Sequence, residues 1–148
     1  MFWGSMTWHA YGPIIDLEGS QNQTTYKQLL TDVVLPEFDA SAVDLFFQQG
    51  NAPCHTALSV RAFMDKEGLD VIDWPPQSPD LSPIEVLWNV LKMKMKARHP
   101  RPRTRQSIID TIKEIWLELE DGTRKKLCMA FRDRLSECIK NKGHLTRF

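Results

Sequence analysis

Several things are scarce in this chain. Cysteine is one: Cys54, Cys128 and Cys138 are an odd set at unrelated spacings, with no C-x-x-C pair. That excludes a disulfide framework and a cysteine zinc site, and predicts free thiols in a reducing compartment. Net charge is absent, because nineteen basic and nineteen acidic residues cancel. Steering of a charged partner must then come from how charge is distributed, not from its sum. No apolar run approaches the roughly 18–20 residues of a membrane helix. The start, Met1-Phe2-Trp3-Gly4, lacks the basic segment and apolar core of a signal peptide. Internal repeats and low-complexity tracts are missing too. What is present is ordinary: 148 residues, 42% apolar and 26% charged, which is enough for about one domain with its own core.

The chain is organised around one stretch, residues 74–88. Four prolines between Pro75 and Pro83 remove amide donors and fix φ, so its first half is irregular. Its second half opens a helix. Ser82 is placed as the cap, Pro83 at the first helical position, and Glu85 to close an S-x-x-E capping box. Ile84, Leu87, Trp88, Leu91 and Met95 then recur at helical spacing. Glu85 is thus either a cap that complements the helix dipole or a functional carboxylate at the mouth of the helix.

Residues 2–18 read as two short strands, with a turn over His9–Pro13. Residues 23–35 are predicted helical, with Tyr26, Leu29, Leu30, Val33 and Val34 on one side and Pro36 as the stop. Val43–Gln48 and Leu69–Trp74 read as short strands, the first of them buried. Cys54–Gly68 reads as a helix with Leu58, Ala62 and Met64 or Phe63 inward and Gly68 at its end. Thr104 caps a helix whose face is Ile108, Ile112, Ile115, Trp116 and Leu119, ended by Asp121-Gly122. A last helix carries Leu127, Phe131, Leu135 and Cys138, with a basic, fraying tail over Lys140–Phe148. Alternating strands and helices predict an α/β fold, a mixed sheet flanked by helices.

The word Trp74-Pro75-x-Gln77-Ser78-Pro79-Asp80-Leu81-x-Pro83-Ile84-Glu85-x-Leu87-Trp88 resembles the signature of Tc/mariner-type DDE transposases. The run from Trp3-Gly4 through Gly12-Pro13-Ile14 and Tyr26 to Leu35-Pro36 resembles the same family's middle section. The likeness is strongest over 43–105 and extends over 2–120. It implies an incomplete RNase H-like fold with a helical C-terminal extension. Residues 1–97 would be the partial DDE domain, and 98–148 a basic linker and two helices of that same domain. It also implies ancestry in DNA transposition and integration, with Mg²⁺ or Mn²⁺ as the family's cofactor and a nuclear, or else cytosolic, location.

In the family three carboxylates gather two metals, and the motif Gln-Gln-Asp-Asn-x-Pro-x-His holds the second acid. Here that motif reads Gln48-Gln49-Gly50-Asn51-Ala52-Pro53-Cys54-His55. Residues 51–84 separate Gly50 from Glu85, which is the family spacing, but glycine offers no ligand. The first acid is expected to be absent, because the match begins after the opening strand. Glu85 is then the only family ligand left, and no metal is expected to bind. Mg²⁺ requires a near-octahedral oxygen array, so the loss of two acids predicts an inactive site. Asp44 and Asp16 are the candidate substitutes, each read as an exposed strand residue. Asn51 and His55 are read as bracing the turn, with His55 as a base the alternative.

Lys92, Lys94, Lys96, Arg98, Arg101, Arg103 and Arg105 form a basic stretch with no acid between Glu85 and Asp110. They are either a solvated helix end or phosphate contacts that do not read bases. Three readings of function follow. One is an inactive, transposase-derived protein that binds DNA non-specifically. Another is a module that pairs with a full-length transposase, or with itself, through open sheet edges. The last is a surviving divalent-metal nuclease.

Overall fold

The computed structural model describes residues 1–144. The chain divides into two compact units, one of Met1 with Leu17–Gln77, the other of Phe2–Asp16 with the chain from Ser78 on.

The first unit begins with α1 (Gln23–Leu29). Asn22 caps it reciprocally: its side chain accepts from the amides of Thr24 and Thr25, and Thr25 Oγ1 accepts from the Asn22 amide at 2.9 Å. The helix does not stop before Pro36. It widens into a π-helical turn, Leu30–Val34, and runs on as α2 (Leu35–Asp39). The Leu35 amide reaches back to the Leu30 carbonyl, and Pro36 falls at the start of the new helix. There a missing amide donor does no harm.

The segment 53–68 is also interrupted. α3 (Pro53–Thr56) and α4 (Leu58–Lys66) are separated by Ala57 at ψ 135°. The break shifts the helical phase, so Val60 and Met64 face inward, while Leu58 is 84% exposed and Ala62 is exposed as well. Gly68, at φ +70°, ends α4 as the pattern required, and the Leu69 amide bonds the Met64 carbonyl at 3.0 Å. Tyr26, Leu29, Leu30, Val34, Val60, Met64 and Leu69 are the buried residues of this unit.

The expected mixed sheet is reduced. Of 43–48 and 69–74, only Phe47 and Val71 form a parallel bridge, through Phe47 N to Asp70 O at 2.7 Å and Ile72 N to Phe47 O at 2.9 Å. Val43 and Phe46 are 53% and 69% exposed. An apolar run needs neighbouring strands and a covering layer to be buried, and this one is bridged at a single point.

The second unit opens with the hairpin β1 (Phe2–Met6) and β2 (Tyr11–Asp16), paired antiparallel with Phe2 opposite Asp16 and Gly4 opposite Ile14. The turn lies at 7–10 rather than 9–13. Thr7 Oγ1 accepts the amides of His9 and Ala10 at 3.1 Å, which leaves Gly12 and Pro13 inside β2. Three helices follow: α5 (Pro83–Ala97), α6 (Arg105–Leu117) and α7 (Asp121–Lys140). Thr104 caps α6 in a reciprocal box with Ser107. Asp121 starts α7 instead of ending α6.

Leu87 and Leu91 of α5, Ile115 and Trp116 of α6, and Leu119 and Leu127 share one core. Gly4 is where the hairpin meets it. A Cβ there would lie 3.0 Å from Trp116, 3.1 Å from Trp88 and 3.2 Å from Ile14. The two tryptophan rings stack at 5.9 Å, and Trp116 Nε1 donates to the Gly12 carbonyl at 2.9 Å.

α7 departs furthest from its apolar pattern. Leu135 is exposed, whereas Arg124 and Arg134 are buried. Arg124 donates to the Thr7 carbonyl at 3.3 Å and to Asp121 at 2.8 Å, with its guanidinium over the Tyr11 ring. Arg134 donates to the Asp80 carbonyl at 3.1 Å. Of the expected frayed tail, residues 145–148 lie outside the described residues.

Candidate catalytic and nucleic-acid-binding residues

Gly50 sits at the exposed crest of a turn that is held from several sides. The ring of His55 bonds the Gly50 carbonyl through Nδ1 at 2.8 Å. A carbonyl only accepts, so Nδ1 carries the proton and Nε2 is left as an acceptor. His55 stacks on Tyr26 with centroids 4.2 Å apart. The Tyr26 hydroxyl donates to Gln49 Oε1, and Gln49 Nε2 approaches Met64 Sδ at 3.8 Å. Asn51 Nδ2 donates to the Trp74 carbonyl at 2.8 Å, tying the turn to the proline-rich stretch. Burial pushes the His55 pKa down, so the ring is neutral at pH 7, and it pushes the Tyr26 hydroxyl up. A Cβ at Gly50 would meet nothing within 4 Å. The place for a side chain is open, but the residue supplies none.

Glu85 lies exposed on the first turn of α5. The predicted capping box is not formed. Ser82 makes no side-chain cap bond, and its carbonyl accepts the Glu85 amide at 3.2 Å. Ser82 is buried. Glu85 instead borders a cavity of about 340 Å³ lined by Phe2, Trp88, Leu91, Lys92, Met95 and Ile112. Sequence reasoning missed this cavity. Its signal was present in the i, i+3, i+7, i+10 spacing of Glu85, Trp88, Lys92 and Met95.

Of the substitute acids, Asp44 is exposed. Asp16 is largely covered and accepts from Arg105 at 2.6 Å. Among the described residues no three His, Cys, Asp or Glu side chains cluster in a way that suits a metal ion. The three cysteines are free.

The basic stretch divides in two. Arg98 reaches both carboxylate oxygens of Glu118 at 2.6 Å, and Arg105 is held by Asp16. That hydrogen bond from Arg98 keeps the Glu118 carboxyl below its usual range. Lys92, Lys94 and Lys96 on α5, and Arg101 and Arg103 beyond it, are exposed.

A DDE superfamily endonuclease family matches residues 3–109. The transposable element Tc3 transposase of Caenorhabditis elegans is 32% identical over 146 residues, covering 97% of this chain and 44% of the relative. The chain therefore spans less than half the length of that relative. In structure it is similar to the Mos1 transposase catalytic domain with raltegravir and Mn, at TM-score 0.78 and 21% identity, covering 93% of this chain and 71% of that one. It is also similar to the Mos1 transposase paired-end complex with left transposon end, at TM-score 0.77 and 20% identity, covering 92% of this chain and 40% of that one. The fold is thus a partial RNase H-like one with a helical C-terminal part. The chain belongs to the DDE superfamily endonuclease family, and within it is a Tc/mariner-type DDE transposase domain.

Proposed function

We propose that this chain is a transposase-derived domain that has lost metal-dependent strand cleavage and keeps non-specific binding to the DNA backbone. One observation carries the first half. The turn that should present the second acid is braced by His55, Tyr26, Gln49 and Asn51, yet its crest is Gly50. The donor set does not fit a two-metal centre. Glu85 supplies one carboxylate, Asp16 is held by Arg105, and three ligating side chains do not gather among the described residues. His55 holds the Gly50 carbonyl through Nδ1 and stacks on Tyr26, which supports a bracing role.

For the second half, the exposed Lys92, Lys94, Lys96, Arg101 and Arg103 are the phosphate contacts. A related transposase has been seen with a transposon end, which supports DNA as the partner, and family membership favours the nucleus, or else the cytosol, as the place. Residues 98–148 belong to the same domain as α5, a reading supported by the core that α5, α6 and α7 share. No helix among the described residues is long and apolar enough to cross a membrane.

The test is a mobility-shift titration over a salt series beside a Mn²⁺ cleavage assay. Salt-sensitive binding without cleavage is expected. Cleavage that disappears in Glu85→Gln refutes the first half, and salt-independent or absent binding refutes the second. A second reading, an interaction module that uses open sheet edges, is favoured by the hairpin, where among the described residues β1 pairs with a strand on one side only.

A further inference from the structure

Met1 and Leu17 exchange backbone hydrogen bonds, Met1 N to Leu17 O at 3.2 Å and Leu17 N to Met1 O at 2.7 Å. Bonded and non-bonded pairs alternate along an antiparallel ladder. Trp3–Ile15 is then the next bonded pair, and Phe2–Asp16 and Gly4–Ile14 are non-bonded pairs. The amides and carbonyls of Phe2 and Gly4 accordingly point away from β2, along the outer edge of β1. That edge pairs with no strand among the described residues.

The apolar cavity borders Phe2, a residue of this edge strand. Phe2 is the hairpin residue in its wall, while Trp88, Leu91, Met95 and Ile112 come from the helices. Glu85 and Lys92 supply its charge. They stand seven residues apart on α5, about 10 Å along the axis and nearly on one face.

We propose that the β1 edge accepts a strand from another polypeptide. Its backbone pairs with Phe2 and Gly4, and one aliphatic side chain fills the cavity between Phe2, Trp88 and Met95. A basic side chain on the same face of that strand meets Glu85. Each part of the surface selects one part of the partner. Outward amides and carbonyls select extended main chain, the apolar walls select an aliphatic residue at alternate positions, and the carboxylate selects the flanking cation. This deepens and rests on the interaction-module reading, and it shares Lys92 with the proposed DNA contacts.

The experiment titrates the 148-residue chain with an acetylated peptide alternating valine and threonine, flanked by lysines. Tryptophan fluorescence is the readout, because Trp88 lines the cavity. Two comparison peptides are used. In one, alternate amides are N-methylated; in the other, every valine is replaced by serine. Saturable binding is expected, weakened at least about tenfold by either change. It should also weaken with the unmodified peptide on Glu85→Lys, a surface substitution that leaves the core untouched. No saturable signal up to about 1 mM overturns the proposal. So does equal binding of the N-methylated peptide, which would mark a cavity that takes apolar groups without strand pairing. A DNA shift measured on the same preparation reports on the DNA-binding half of the proposed function, so the two failures are distinguishable.

Discussion

Consider DNA binding by the basic stretch as a function of salt. The sequence offers seven cations between Lys92 and Arg105. The structure pairs two of them, Arg98 with Glu118 and Arg105 with Asp16, and the other five are exposed and outside those pairs. Each phosphate neutralised on duplex DNA adds about −0.9 to the slope of log affinity against log salt. Five contacts give a slope of about −4.5, so raising salt from about 50 to 200 mM should weaken binding roughly 500-fold. Seven contacts would give about −6.3. Glu118→Gln frees Arg98 and should steepen the slope by about 0.9, whereas Lys94→Ala should flatten it by as much. Arg98→Ala should leave it unchanged. The assay is fluorescence anisotropy on two unrelated duplexes, which should behave alike because phosphate contacts carry no sequence information. A slope shallower than about −1, or a flattening with Arg98→Ala equal to that with Lys94→Ala, would refute the reasoning.

Gly4→Ala tests the hairpin seat. A methyl at 3.0–3.2 Å from Trp116, Trp88 and Ile14 overpacks a site walled by two stacked rings. A loss of about 1–3 kcal/mol is expected, seen as a melting point several degrees lower; an unchanged melting point would mean that the rings give way freely. His55 sets a pH dependence. Its folded pKa lies below the unfolded value of about 6.5, so the folded state resists protonation. Its contribution is full above pH 6.5 and is lost as pH falls from there towards the lowered value. Urea midpoints at about pH 7.5 and 5.5 should differ less in His55→Phe, which keeps a ring to stack on Tyr26, than in the parent chain. An equal difference in the two proteins would remove His55 as the source.

The organising helix was the most legible part. Pro83 at its start and the stripe through Leu87 and Leu91 are local signals, and the core confirms them. The Thr104 cap was readable for the same reason; the reciprocal bond with Ser107 that makes it a box was not read. Other features depend on partners far along the chain. Nothing near Ala57 announces the break that turns Leu58 outward. The π-helical turn that carries α1 into Pro36 has no composition signal. The burial of Arg124 and Arg134 has no local signal, because the backbone carbonyls they bond, those of Thr7 and Asp80, lie over a hundred and over fifty residues away. The run 43–48 has the look of a buried strand, but burial comes from neighbouring strands, and only Phe47 is bridged. Among the candidate residues, the identities of Gly50 and Glu85 were legible. The bond from His55 to the Gly50 carbonyl and the cavity beside Glu85 were not.

The central claim is that a braced turn survives without the acid it should carry. Its most direct test is strand cleavage of a labelled duplex in Mn²⁺, run on the parent chain and on Gly50→Asp. The open space around position 50 should let the variant fold with a stability within about 0.5 kcal/mol of the parent. Neither protein is expected to cut. Metal-dependent cleavage by the parent chain that is abolished in Glu85→Gln would contradict the account.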